Sequence, residues 1–196
     1  MPPMLRQRVR VSLENEKDIG QEVLELEYTF YGKIRDFTEL SKAFRKEEHE
    51  QWILPIGDEN APVRARLRAV DGNDFLLTTK TKRDGQPGVL EITEVIHHAM
   101  FKQLTKVAID GYKKTRYVFR VPNSGLLWEI DVFQNQQGSP HVWVKIDLEV
   151  KSAEDKIPPL PVQFDDLILV NGPRWDKAQE DFVDNLWDKE WAKIAA

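Results

Sequence analysis

The chain has 196 residues, enough for one ordinary domain with a real core, and its 41% hydrophobic content makes disorder an unlikely starting point. Its 28 Lys and Arg against 33 Asp and Glu leave a net charge of -5, whereas general binding to double-stranded nucleic acid needs a basic footprint. The absence of Cys excludes disulfides, thiolate zinc sites and a Cys nucleophile; no apolar run nears the roughly 20 residues that span a bilayer, and MPPMLRQRVRV lacks the apolar stretch of a secretory signal, so the expectation is a cytoplasmic protein without membrane contact.

In chain order, Leu5, Val9 and Val11 alternate with Arg6, Arg8 and Arg10, as in a strand or an ordered arm. LELEYTF is a clear period-two strand, with Glu25 and Glu27 on one face and Leu24, Leu26, Tyr28 and Phe30 on the other. Asp36 to Trp52 reads as a helix, with Asp36 as N-cap, Glu39 at the capping-box position, and Leu40, Ala43 and Phe44 as its apolar stripe. On that reading Arg45 to Glu50 is a solvated helix face. Pro55, Gly57 and Pro62 end the helix.

Strands follow at Val63 to Val70 and Phe75 to Lys82, joined by the turn Asp71-Gly72-Asn73. After the turn at Asp84 to Gly88 comes Leu90 to Ile96. His97 to Asp110 has helical spacing, with Phe101, Leu104 and Ala108 on one side and Gly111 as its stop. Lys113 to Val121, Leu127 to Phe133 and Val142 to Val150 are further strands, and Ile157 to Pro161 breaks regular structure. Residues 174 to 193 read as a helix packed through Trp175, Phe182, Leu186 and Trp187.

The strands segregate charge by sign. Arg64, Arg66 and Arg68 share one strand face, and Lys80 and Lys82 share the face of its expected hairpin partner. Like charges opposed across strands are destabilising, so a solvated face normally mixes signs; an array of this kind makes sense when a polyanion neutralises it. Acidic pairs stand apart from it: Glu25 with Glu27, Glu129 with Asp131, and Asp147 with Glu149. Hard divalent cations such as Mg²⁺ or Mn²⁺ take oxygen ligands of this type, usually shared with phosphate. Closing the sheet with its ionic face inward gives a barrel whose lumen is wet, ion-paired and ligand-filled.

The ordered series ELE, VRARLR, LTTKTK, KKTRYVF, WEIDVF and IDLEVKS, over about residues 21 to 155, resembles the CYTH family, the triphosphate tunnel metalloenzymes. The resemblance implies a single α+β domain over residues 1–196: an eight-stranded antiparallel closed β-barrel, or tunnel, with a charged lumen and helices packed outside. It implies phosphate ligands at Arg64, Arg66, Arg68, Lys80, Lys82, Lys114 and Arg116, with Arg68 near the tunnel mouth. It implies metal ligands for Mg²⁺ or Mn²⁺ at Glu25, Glu27, Asp147 and Glu149, with Glu91 and Asp131 as further metal or water-orienting carboxylates. The partner implied is a triphosphate-containing small molecule, and the assembly a monomer or homodimer.

The pattern departs from the family at four places. Thr29 stands where the first strand usually carries Lys, Val89 where an Arg is usual, Thr93 where a second Glu is usual, and Asp147 replaces a Glu. Metal-dependent triphosphate hydrolysis is the leading expectation. A class IV-type adenylate cyclase and a non-catalytic triphosphate-binding tunnel are the alternatives. His97 and His98 lack metal spacing and are expected in surface or capping roles, His141 and Trp143 at the tunnel rim, and Trp187 and Trp191 in helix packing.

Overall fold

The computed structural model describes residues 19–56, 63–82, 88–134, 143–152 and 155–172. The readings at Leu5 to Val11, at 174 to 193 with its Trp residues, and at His141 lie outside the described residues. The described residues form nine strands: β1 (Glu22–Ile34), β2 (Arg45–Leu54), β3 (Val63–Val70), β4 (Asp74–Lys82), β5 (Val89–Val95), β6 (Asp110–Arg120), β7 (Leu127–Phe133), β8 (Trp143–Val150) and β9 (Phe164–Asn171). They form one sheet in the order β5-β4-β3-β2-β6-β7-β8-β1-β9, and β5 also pairs with β1. β1 to β8 thus make a closed eight-stranded antiparallel barrel, and β9 is an extra strand along the Thr29–Ile34 stretch of β1.

Seven of these strands were expected near their observed bounds. The eighth, β2, overturns the helix read over Asp36 to Trp52. Asp36 does cap a helix, its side chain accepting from the Thr38 N–H at 2.8 Å, but the helix is a 3-10 turn confined to Phe37–Lys42. The chain leaves it at Ala43, and β2 pairs antiparallel with β3 from His49 opposite Val70 to Leu54 opposite Ala65. The run Arg45 to Glu50 therefore lies on a strand rather than a solvated helix face, with His49 buried and bonded to Glu47 at 2.9 Å. The deciding hydrogen bonds come from a strand distant in sequence, so local periodicity did not report them.

The helix read over His97 to Asp110 is also shorter. α1 spans His98–Leu104 and runs into a 3-10 turn at Thr105–Val107, and β6 begins at Asp110. His97 is the N-cap, accepting from the Ala99 N–H at 3.1 Å, and His98 stacks on Phe75 with ring centroids 4.5 Å apart. The helices among the described residues are few and short. β9 was not expected.

The described residues fall into two compact units, 19–24, 47–56, 63–82 and 89–114 in the first and 25–46, 88, 115–134, 143–152 and 155–172 in the second. In the first, Leu54, Ala65, Leu67, Ala69 and Phe101 form a buried core, with Trp52, Phe75 and Leu77 packed against it. The β3–β4 turn carries Asp71 at φ 50° and Gly72 at φ 69°, conformations open to Gly and tolerated by Asp, and the Asn73 N–H closes on the Val70 carbonyl at 3.0 Å. In the second, Tyr28, Phe30, Trp128, Ile130, Val144, Ile146 and Leu148 form a larger core. Leu40 and Val162 join that core, and the Trp128 indole N–H donates to the Pro159 carbonyl at 3.1 Å. The Pro-rich stretch thus lies against the sheet.

Gly111 is not a helix stop. It lies within β6, where a Cβ would come within 2.3 Å of the Trp52 ring. A packed indole cannot retreat as a flexible chain end does, so Gly111→Ala is expected to lower the unfolding free energy by about 1–3 kcal/mol, read from the urea midpoint.

Candidate functional site

The first unit assembles the basic residues. Pairing of β3, β4 and β5 lays out cross-strand rows on their polar face. Arg64 lies opposite Lys80, which lies opposite Glu91; Arg66 lies opposite Thr78, which lies opposite Thr93. Arg64 and Lys80 are thus in direct register. Glu91 is the counter-charge of Lys80 and Arg66: Lys80 Nζ is 2.9 Å and Arg66 Nη2 3.8 Å from its Oε2. Burial pushes the Glu91 carboxyl up, but Lys80 and then Arg66 outweigh it and hold the pKa below the usual value, so Glu91 is ionised. Thr93 donates to Glu91 at 3.0 Å and bonds Thr78 at 2.9 Å. The usual second Glu is thereby replaced by a hydroxyl that supports the first carboxylate.

Arg66 Nε is buried without a hydrogen-bond partner among the described residues, an arrangement that an anionic ligand would complete. Arg68 continues the row along β3, opposite Gln51 of β2. Lys82 lies at the exposed end of β4, opposite Val89. Lys114 is buried on β6. Gln51, also buried, donates through Nε2 to the Tyr112 hydroxyl.

The second unit assembles the carboxylates. β7 and β8 set Glu129 opposite Asp147 and Asp131 opposite Lys145, while β1 and β8 set Glu27 opposite Glu149 and Thr29 opposite Asp147. Asp131 has 0% exposure and takes two bonds from Arg116, from Nε and Nη2, each at 2.8 Å. Arg116 Nη1 also donates to Glu129, and Nη2 lies 3.9 Å from Asp147. Burial would lower the Arg116 pKa, but Asp131 and Glu129 raise it well above its ordinary value, so the guanidinium stays charged. The structure places Arg116 among carboxylates.

A second cation enters this cluster without having been singled out from the sequence. Lys145 Nζ sits 2.6 Å from Asp147 Oδ2 and 3.9 Å from Glu27 Oε1. Burial lowers its pKa, and Asp147 followed by Glu27 more than restores it, so it remains an ammonium. The Thr29 hydroxyl lies within hydrogen-bond distance of the same two carboxylates, 2.8 Å from Glu27 and 3.0 Å from Asp147, its one proton serving either. The signal in the sequence was the parity of VKIDLEV, which puts Lys145 on the face of Asp147 and Glu149.

Glu149 differs from its neighbours. It keeps solvent contact although much of its surroundings is protein. Burial first, then Glu129, Glu25 and Glu27, pushes its pKa up to about 8, more than Arg116 pulls it down. The local field at Glu149 therefore favours a cation. Among the described residues no group of three or more His, Asp or Glu is arranged to hold a metal ion. The donor chemistry suits a hard divalent cation at Glu149, with Glu25 beside it in charge. At Glu27 and Asp147 an ammonium already occupies the carboxylate oxygens.

The described strands form the closed antiparallel barrel expected from the sequence. No family profile and no curated protein matches the chain. Its structural neighbours include the inorganic triphosphatase NE1496, at 24% identity over 70% of this chain and 82% of that one, with a TM-score of 0.44. A putative adenylate cyclase from Bacillus halodurans is 11% identical over 68% of this chain and 83% of that one, with a TM-score of 0.47. A chain of the Schizosaccharomyces pombe Mediator head module is 11% identical over 66% of this chain and 85% of that one, with a TM-score of 0.37. These likenesses concern the fold alone.

Two outcomes follow from the carboxylate cluster. Arg116→Met leaves Asp131 buried without its guanidinium and is expected to lower stability by about 3–5 kcal/mol in urea unfolding, with Asp131→Asn in the same chain recovering part of the loss. Glu149 has a folded pKa of about 8 against an ordinary 4.5, so the folded state holds its proton more tightly than the unfolded one. Its contribution to stability is complete at low pH and is lost as pH rises through that window. Glu149→Gln removes this dependence. In chelator, the melting temperature of the variant is expected to overtake that of the parent by a few degrees as pH rises from about 5 to about 8.5.

Proposed function

We propose that this protein hydrolyses triphosphates with the aid of a divalent cation, Mg²⁺ or Mn²⁺. The observation that carries the reading is the segregation of charge by strand. Arg64, Arg66, Arg68 and Lys80 line one continuous face of β3 and β4, two of them in direct register, while the carboxylates stand on β1, β7 and β8. Like charges brought into register are costly unless a polyanion neutralises them, and grouped carboxylates are costly unless a cation does. A triphosphate supplies the first and a divalent cation the second. The motif series that resembles the triphosphate tunnel family points the same way.

The roles divide accordingly. Arg64, Arg66, Arg68, Lys80, Lys82 and Lys114 bind the phosphate chain and absorb the charge that develops on the leaving pyrophosphate. Glu91, kept ionised by Lys80 and Arg66, orients the attacking water. Asp131 acts through Arg116, holding the guanidinium rather than touching substrate. Glu25 and Glu149 hold the divalent cation, joined by Glu27 and Asp147 where Lys145 yields. When bound, the cation polarises a phosphate oxygen and offsets its charge. No covalent nucleophile is required.

The test is release of phosphate and pyrophosphate from inorganic triphosphate, thiamine triphosphate and ATP, with Mg²⁺, with Mn²⁺ and with chelator. Cation-dependent hydrolysis of one of them is expected, and Arg66→Ala is expected to lower its kcat/KM about 100-fold. Cyclic AMP with pyrophosphate from ATP would make the protein a cyclase. Triphosphate binding without product would make it a binding protein.

A further inference from the structure

Lys145 has no part in the motif series, yet it occupies the centre of the carboxylate cluster. Its Nζ lies 2.6 Å from Asp147 Oδ2 and 3.9 Å from Glu27 Oε1. Thr29 Oγ1 lies 3.0 Å from Asp147 Oδ1 and 2.8 Å from Glu27 Oε1. Asp147 is 1% exposed, and Arg116 Nη2 is also 3.9 Å away. The register explains the substitution. Thr29 faces Asp147 across the β1–β8 pair, and Lys145 stands two residues before Asp147 on the same strand face. The resembling family usually carries Lys at the Thr29 position; here that position holds a short hydroxyl, and an ammonium reaches Glu27 and Asp147 from β8.

We infer that Lys145 is a tethered counter-ion of Glu27 and Asp147, which a divalent cation must displace before these two carboxylates can bind it. The inference rests on the proposed reading that the acidic strands hold such a cation. An ammonium at 2.6 Å and a divalent ion cannot share one carboxylate oxygen without strong repulsion, so binding of the two is mutually exclusive at Asp147 Oδ2. The device keeps Glu27 and Asp147 compact in the absence of metal, at the expense of metal affinity. Displacement also frees a primary ammonium beside the bound cation.

The experiment is a Mn²⁺ titration followed by the electron paramagnetic resonance signal of the free ion. It compares the parent chain with Lys145→Met, Lys145→Gln and Lys145→Arg, with folding checked by circular dichroism. Removing the competing charge is expected to tighten Mn²⁺ binding about tenfold or more in the Met and Gln variants, and Lys145→Arg is expected to stay near the parent. Adding Asp147→Asn to Lys145→Met is expected to abolish the gain. Should Lys145→Met not fold, Lys145→Gln retains a hydrogen bond to Asp147 and carries the same comparison. If the parent binds Mn²⁺ and the neutral variants bind it no tighter, Lys145 is only a structural ion-pair partner and the inference fails alone. If neither the parent nor any variant binds Mn²⁺, the divalent-cation reading fails with it.

Discussion

The acidic unit depends on one buried charge being met. Asp131 has no solvent-exposed surface, and Arg116 meets it there with two parallel N–H bonds. The same guanidinium reaches Glu129 and approaches Asp147, so one side chain sets the spacing of carboxylates on two strands. Around this pair the apolar faces of β1, β7 and β8 pack through Phe30, Trp128, Ile130, Ile146 and Leu148. The hydrophobic core fixes which strand faces are ionic, and Arg116 lets the carboxylates on those faces lie close together.

The basic unit meets the same constraint differently. Glu91 lies in one row with Arg64 and Lys80 and is anchored by Thr93, so a single carboxylate tempers a group of cations without neutralising it. Both Thr departures from the family pattern are hydrogen-bonded to carboxylates: Thr93 to Glu91, and Thr29 to Glu27 and Asp147. Neither is an inert gap. Each trades a charge for a hydroxyl that positions an existing charge, which preserves the arrangement while changing its balance.

Much of this was legible because the period of a strand is two. VRARLR and LTTKTK place their cations on one face whatever the surroundings, and LELEYTF and VKIDLEV do the same for their carboxylates. The bounds of β3 and β7 matched those read from the alternation. β2 was not legible: its polar face buries His49 and Gln51, its run of charges suits a helix surface equally well, and its hydrogen bonds come from β3. Gly111 was misread for a similar reason, since the need for a missing Cβ is set by Trp52, 59 positions earlier in the chain.

The sequence by itself determined the sign and facing of each strand's charges, because side-chain alternation is a local property of extended backbone. Only the tertiary structure decided which charges satisfy one another. The alternation places Arg116 and Lys145 on the ionic faces of their strands; pairing of β6, β7, β8 and β1 brings the first to Asp131 and Glu129 and the second to Asp147 and Glu27. The physical reason is range. Register is set by backbone hydrogen bonds between strands far apart in the chain, and an ion pair is set by a few ångströms that only register can bring about.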